Sequence, residues 1–133
     1  TNIIQYITIA STGNATDFGD LTVTSILGAG CSSSTRGLIA VGNTGTVSNI
    51  IEYITIASTG NSTDFGDLTV ARDGLASASS TTLGTFAGGL SGSTYYNVID
   101  YVTIASTGNA ASFGSLLAPV GYFAGCSNAH GGL

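Results

Sequence analysis

Tyr6-Ile7-Thr8-Ile9-Ala10-Ser11-Thr12-Gly13-Asn14 is the stretch of sequence that decides the fold, because it occurs three times. It returns unchanged at residues 53–61 and with one substitution at 101–109. A Phe-Gly pair follows each copy, beginning at Phe18, Phe65 and Phe113. The chain is therefore built from repeats of about 47 residues, and each repeat is expected to bury its apolar surface against its neighbours.

Each repeat contains four short segments rich in β-branched and aromatic residues, separated by turn signals. In the first segment, Ile7 and Ile9 fall on one face and Tyr6 on the other, which is typical of a strand whose sheet is covered on both sides. Gly13 and Asn14 then tolerate the positive φ of a turn. Four strands in a period near 50 residues predict an all-β fold of β-propeller blades.

The period divides the chain into three blade-like repeats of one continuous domain: 1–48, 49–96 and a truncated third at 97–133. The third copy stops where its fourth strand should begin. Propellers close with about 4–8 blades, so three units do not complete a ring. We expect the sequence to be an excerpt of a larger propeller, with a multi-chain propeller as the alternative.

Charged side chains are scarce. Arg36 and Arg72 are the only basic residues apart from one histidine, and the formal net charge is −5. Binding to nucleic acid or to an anionic membrane needs clustered cations, so neither partner is predicted. No apolar run reaches the ~18–20 residues of a membrane span, and no basic segment precedes Thr1, so no signal peptide is predicted.

The two cysteines, Cys31 and Cys126, occupy equivalent positions in the first and third repeats. A disulfide needs Cα atoms within about 7 Å, and equivalent positions of non-adjacent blades lie farther apart. The sequence therefore predicts two small buried thiols and no disulfide.

Two pairs of aspartates flank the first two Phe-Gly motifs, Asp17 with Asp20 and Asp64 with Asp67. Carboxylates in this arrangement could offer oxygen ligands to calcium. The third repeat carries serines there, and residues 17 and 20 are expected on opposite faces of an extended strand. We expect solvated side chains, and no metal or cofactor is predicted.

Gln5, Glu52 and Asp100 share one repeat position. A ring of acids around a channel could hold a cation, but the glutamine weakens that reading, and exposed strand residues are expected instead. His130 is the only histidine, and no Gly-x-Ser-x-Gly motif accompanies it, so it is expected to be a loop residue. No catalytic residue is predicted.

Tyr95 and Tyr96 are the candidate binding residues. They lie in the segment that varies most between repeats, beside Ser91, Gly92, Ser93 and Thr94. Tyrosine among small polar residues suits adaptable contacts, including stacking on sugars. The alternative, held equally open, is that these rings pack on the neighbouring blade.

The doublet Gly88-Gly89, the strand at 98–101 with its Tyr101, and the following Phe113 resemble the kelch blade, although kelch repeats usually carry Trp at the position of Phe113. The repeated phrase from Tyr6 onward also resembles the kelch-like repeats of structural and appendage proteins of marine cyanobacterial phages and related large viruses. That resemblance implies a virion appendage or decoration protein.

We therefore predict a non-enzymatic structural or adhesive module of a virus particle, such as a capsid decoration, tail or fibre component. The expected partners are other virion or filament subunits, with host surface polysaccharide as a candidate ligand. The expected location is the virion surface, or else the outside of a cell. The alternatives are part of a propeller-scaffold enzyme acting on glycans, which needs converging carboxylates or metal ligands, and a kelch adaptor for protein partners.

Overall fold

The computed structural model describes residues 1–127, which form twelve strands and no helix, and so no helix able to cross a membrane. His130 lies outside the described residues. The strands are β1 (Ile3–Tyr6), β2 (Thr16–Asp20), β3 (Ala29–Ser32), β4 (Arg36–Ala40), β5 (Ile50–Thr55), β6 (Thr63–Asp67), β7 (Ala76–Ser79), β8 (Leu83–Ala87), β9 (Leu90–Ser91), β10 (Thr94–Tyr95), β11 (Val98–Thr103) and β12 (Ala111–Ser115). The predicted all-β class is confirmed.

The strands form two four-stranded antiparallel sheets, β3-β4-β5-β6 and β7-β8-β11-β12, in each of which the chain runs back and forth between neighbours. Within residues 1–127, strands β1 and β2 pair only with each other, and β9 and β10 form a small hairpin. Each four-stranded sheet joins the last two strands of one predicted repeat to the first two of the next. Each four-stranded sheet thus begins at the third strand of a predicted repeat. The repeat bounds describe the period of the sequence and stay a prediction.

A β-bulge recurs at the Phe-Gly pair of every repeat. Ile51 pairs with Gly66 and Glu52 with Asp64, so Phe65 is an extra, unpaired residue on its strand. The same shift occurs in the β1–β2 and β11–β12 pairs. The ring of Phe65 meets that of Tyr53 edge to face, with ring centroids 6.1 Å apart. The repeated tyrosine and phenylalanine are therefore partners across one hairpin.

The two four-stranded sheets pack against each other, so that residues one repeat apart in the sequence become neighbours. Strands β3 and β7 lie side by side, where the Ser77 Oγ donates to the Gly30 carbonyl at 2.5 Å and the Ser79 Oγ to the Ser32 carbonyl at 2.9 Å. Each pair is 47 residues apart in the sequence. The core formed by this packing contains Leu38, Ala40, Ile51, Phe65, Leu68, Leu75, Phe86, Val102 and Ile104.

The Gly-Asn end of the repeated phrase docks each sheet on the preceding one. The Gly60 N–H donates to the Phe18 carbonyl at 2.7 Å, and the Gly108 N–H donates to the Phe65 carbonyl at 2.8 Å. A Cβ at Gly66 would overlap the Gly108 carbonyl, so the glycine of the Phe-Gly pair permits this close approach. The most strongly repeated residues are thus those that hold successive sheets together.

Candidate functional site

Glu52 is fully buried, so its prediction as an exposed strand residue was wrong. Its carboxyl group accepts a hydrogen bond from the Thr22 N–H at 3.1 Å and further ones from the hydroxyls of Thr22 and Ser62. Thr22 belongs to the preceding repeat. The repeat position of Glu52 faces the neighbouring β1–β2 sheet instead of water, and the acid joins the two sheets.

Asp100 is also fully buried, which corrects the same prediction. It accepts hydrogen bonds from the Thr69 N–H at 3.1 Å and the Thr69 hydroxyl at 2.7 Å, and it forms an ion pair with Arg72 at 2.9 Å. The buried Arg72 also donates from Nε to the Gly88 carbonyl at 2.7 Å and from Nη2 to the Phe86 carbonyl at 3.1 Å. Burying two charges is costly, and the hydrogen bonds from Thr69 to Asp100 and from Arg72 to the two carbonyl groups offset that cost.

The aspartate pairs do not assemble a metal site within residues 1–127, where no group of three or more His, Cys, Asp or Glu is placed to hold an ion. Asp17 and Asp64 are exposed. The backbone N–H groups of Asp20 and Asp67 donate to Asn61 and Asn109 of the next repeat. The β-bulge interrupts the alternation of side chains between residues 17 and 20, so the argument from opposite strand faces does not apply.

Tyr95 lies on β10, where it pairs with Leu90 at the base of the small hairpin, and 47% of it is exposed. A Cβ at Gly121 would lie 3.4 Å from its ring, so one edge of the ring rests on the connection that follows β12. Tyr96 is half-buried, and its N–H donates to the Gly89 carbonyl at 2.9 Å. Of the two predicted binding residues, Tyr95 presents its ring to solvent and Tyr96 serves mainly to anchor the hairpin.

Tyr122, which sequence reasoning missed, is 61% exposed. A Cβ at Gly74 would lie 2.9 Å from the Tyr122 ring and 3.0 Å from Leu90, and a Cβ at Gly121 would also lie 3.0 Å from Leu90. Both exposed rings therefore lie near the buried Leu90. We call Tyr95, Leu90 and Tyr122 the tyrosine platform.

The backbone holds Tyr122 in an unusual conformation. Leu27, Gly74 and Tyr122 occupy equivalent repeat positions and all have a left-handed φ, of 58°, 59° and 58°. The Gly74 N–H donates to the Leu27 carbonyl at 3.1 Å, and the Tyr122 N–H donates to the Gly74 carbonyl at 2.7 Å. A left-handed conformation costs a non-glycine residue about 1–2 kcal/mol. The platform thus carries a strained tyrosine fixed by this hydrogen-bonded series.

The surroundings of the platform lack an available positive charge from lysine or arginine. Arg72 is buried in its ion pair, and the Arg36 guanidinium lies over the Tyr53 ring, 4.5 Å from its centroid. These are the only two such residues in the chain. Comparison of the chain with protein-family models and with curated proteins gives no match. The functional argument therefore depends on the residues and their geometry.

A concave feature lies at the opposite end of the sheets from the platform, by the β3–β4 and β7–β8 turns. It is a cavity of about 370 Å³ lined by Ser32, Ser33, Ser34, Ser79, Ser80, Thr81 and Ser127. Several of these hydroxyls are already engaged, since the Ser33 Oγ accepts from the N–H groups of Thr35 and Arg36 at 3.2 Å. The cavity offers neutral hydrogen-bonding groups and, in its described lining, no ionisable side chain.

Both cysteines are free, but they differ in exposure. Cys31 is partly buried against the core, whereas Cys126 is exposed, so the prediction of a buried thiol was wrong for Cys126. The reason is that Cys31 lies on a strand covered by the next sheet, while Cys126 follows the last strand of the described residues.

Burial raises the pKa of the Cys31 thiol from 9.0 to about 11. Because the thiolate is the reactive form, we expect iodoacetamide at pH 8 to modify Cys126 first and Cys31 at least about tenfold more slowly. Mass spectrometry of each peptide measures the two rates, and the chain unfolded in guanidinium is the control in which they should converge. Because burial disfavours the Cys31 thiolate in the folded chain but not in the unfolded one, the free energy of unfolding should fall as the pH rises from about 9 to about 11.

Proposed function

We propose that this chain is a non-enzymatic structural and adhesive module of a virus particle, which binds neutral polysaccharide through the tyrosine platform. The observation that carries the proposal is the pair of exposed rings, Tyr95 and Tyr122, held near the buried Leu90 where the three repeats differ. The scaffold beneath them is repetitive and rigid, while the rings break the repeat. That division is expected of a binding site carried on a structural module.

The finer fold assignment, blades of a kelch-like β-propeller, is part of the proposal. It is supported by four-stranded antiparallel sheets that follow the chain order and stack one repeat apart. It is also supported by the small residues of β3 and β7, which suit the crowded region near a propeller axis. The location on a virion, with other virion subunits as partners, rests on the resemblance of the repeated phrase to viral kelch-like proteins.

A neutral glycan suits the platform better than an acidic one. Tyrosine presents a large apolar face with a polar tip, which allows a sugar ring to stack on it while its hydroxyls remain hydrogen-bonded. Ser91, Ser93 and Thr94 of the same hairpin add neutral hydroxyls. A net charge of −5, with both arginines engaged, disfavours sulfated or uronic-acid ligands.

The positions of the buried acids support a non-enzymatic role. A glycoside hydrolase needs two carboxyl groups facing the substrate, about 5–9.5 Å apart. Glu52 and Asp100 are fully buried and bonded to Thr22, Ser62, Thr69 and Arg72. These carboxyl groups stabilise the contacts between sheets, and because both are fully buried, a substrate does not reach them.

The proposal predicts that a glycan array will identify neutral oligosaccharides that bind the chain. Tyr95→Ala and Tyr122→Gly should each weaken that binding by about tenfold, since each removes one stacking ring. Glycine is chosen at residue 122 because it adopts the left-handed φ without strain. Tyr6→Ala is the matched control, because Tyr6 is 44% exposed but lies outside the platform.

Two results would contradict the proposed function. One is an array on which no neutral glycan binds. The other is binding that neither Tyr95→Ala nor Tyr122→Gly weakens. If the glycan bound instead in the serine-lined cavity, Ser33→Val and Ser80→Val would weaken binding while the platform variants would not, since both serines line that cavity.

A further inference from the structure

Equivalent residues of the three repeats are buried very differently at the two ends of the chain. Phe18 and Phe65 are 8% and 2% exposed, whereas Phe113 is 60% exposed. Ile104 is 1% exposed, whereas its equivalent in the first repeat, Ile9, is 94% exposed. Ile56, the equivalent in the middle repeat, is 43% exposed, so burial at this position increases along the chain. Within residues 1–127, no neighbouring sheet covers Phe113 or Ile9.

These differences define two surfaces. The tail surface consists of Phe113, Gly114, Ser115 and Leu117. The head surface consists of Gln5, Ile7, Ile9 and residues 13–15. We propose that the head surface of one copy of this chain docks on the tail surface of a second copy and repeats the contact that joins sheets within the chain. The proposal does not depend on glycan binding, because the tyrosine platform belongs to neither surface.

The first support comes from the backbone. Within the chain, the N–H groups of Gly60 and Ser62 donate to the carbonyls of Phe18 and Asp20, and those of Gly108 and Ala110 donate to the next equivalent pair. The head surface carries the same loop sequence, Ser-Thr-Gly-Asn, at residues 11–14, and this loop is exposed. The tail surface carries the matching strand at 113–115.

Gly114 is already in the conformation that docking requires. Its φ of 154° resembles the 148° of Gly19 and the 142° of Gly66. A Cβ at Gly19 or Gly66 would overlap the carbonyl of the incoming loop, but a Cβ at Gly114 would meet nothing within 4 Å. The tail surface thus has the backbone conformation of the two internal docking surfaces, and within residues 1–127 no loop lies against Gly114.

The second support identifies the occupant. At both internal contacts a threonine, Thr22 or Thr69, donates from its hydroxyl to an acid of the next repeat. The tail surface has Leu117 at the threonine position, and the head surface has Gln5 at the acid position. A carboxyl group opposite Leu117 would lose a donor, which is unfavourable for a buried charge, whereas the neutral amide of Gln5 has no charge to stabilise. The two exceptions in the repeat therefore match each other, as expected if the tail of one copy docks on the head of another.

A head-to-tail contact of this kind joins two different surfaces, so it generates closed rings or open filaments instead of a twofold dimer. Ile7 and Ile9 would become covered at least in part, since their equivalents at the last internal contact, Val102 and Ile104, are 4% and 1% exposed, while Ile56 at the first is 43% exposed. This burial of apolar surface supplies the favourable free energy of association.

The first test is analytical ultracentrifugation of the 133-residue chain over a range of concentrations. We expect the average mass to rise above 13.1 kDa as the concentration increases. Gly114→Ala should weaken the association at least about tenfold, because its Cβ would overlap the incoming loop. Gly92→Ala is the matched control, since it places the same methyl group at a positive φ of 61° with open space around it. A mass that stays at 13.1 kDa up to 1 mM, or equal effects of the two variants, would overturn the proposal.

A mixing experiment tests the head-to-tail geometry. Gly114→Ala blocks the tail, and Ile9→Asp blocks the head at a residue that is 94% exposed in the free chain and so should not affect its folding. Each variant alone should remain monomeric, while an equimolar mixture should form a heterodimer through the one intact head and the one intact tail. A mixture that stays monomeric would contradict this geometry.

A double-mutant cycle tests the choice of partner. Gln5→Glu should weaken association by about tenfold, and adding Leu117→Thr should restore it, because the pair then reproduces the internal Thr22–Glu52 contact. Effects of the two substitutions that simply add would show that residues 5 and 117 do not meet, which contradicts docking of a second copy.

Discussion

Replacing Asp100 by alanine is expected to lower the free energy of unfolding by about 3–5 kcal/mol. The substitution would leave the fully buried Arg72 without the carboxylate that lies 2.9 Å from it. Urea unfolding followed by tyrosine fluorescence measures the effect. Asp64→Ala is the matched control, because Asp64 is an exposed strand acid and its loss should change the stability by no more than about 0.5 kcal/mol.

The double replacement of Arg72 by methionine and Asp100 by leucine should be much less destabilising than Asp100→Ala. It removes both charges and leaves neither unpaired, which is often nearly neutral for a buried pair. If Asp100→Ala and Asp64→Ala had equal effects, the buried ion pair between the last two repeats would be contradicted.

Replacing Phe65 by alanine is expected to destabilise the chain by about 3–5 kcal/mol, because this ring is 2% exposed in the core between the two four-stranded sheets. Phe113→Ala removes the same ring from the equivalent position, where it is 60% exposed, and should cost less than about 1 kcal/mol. Both rings meet their repeat tyrosine edge to face, with centroids 6.1 Å and 5.9 Å apart, so that contact cancels in the comparison. The remaining difference measures what the next repeat contributes.

This comparison is made by chemical denaturation at a concentration at which ultracentrifugation shows the chain to be monomeric, so that no second copy covers Phe113. Equal losses of stability for the two variants at that concentration would contradict the exposure of the third repeat. A loss for Phe113→Ala that grows with protein concentration is the result expected if copies dock through the tail surface.

Much of the fold follows from residues that act locally. The alternating and β-branched segments determine strands, and the Gly-Asn turns determine hairpins, so the all-β class could be predicted from the sequence. The strand at which each sheet begins could not be predicted, because a repeat period gives the length of a unit but not which of its strands is the first of a sheet. The bulge at Phe65 was also hidden, because an extra residue on one strand is defined only by its pairing with the other.

The candidate site shows the same limit. Tyr95 was predicted from its local composition, but Tyr122 was not, because it is brought to Tyr95 only by the contact of two distant connections with Leu90. The one available signal was that Tyr122 breaks the repeat at the position of Leu27 and Gly74. The exposure of Glu52 was predicted wrongly because an acid on a strand is usually exposed. The hydroxyl group that donates to it belongs to Thr22, 30 residues away in the sequence, so no local pattern indicates the contact.

The most direct test of the proposed function is aromatic NMR of the chain with carbon-13-labelled tyrosine. The six tyrosines are assigned with single Tyr→Phe variants, and the chain is then titrated with the neutral oligosaccharide that binds best on the array. We predict that the ring signals of Tyr95 and Tyr122 shift together with one affinity, while those of Tyr6, Tyr53 and Tyr101 stay in place. Shifts confined to the three repeated tyrosines, or no shift of any ring at saturation, would contradict a polysaccharide site on the tyrosine platform.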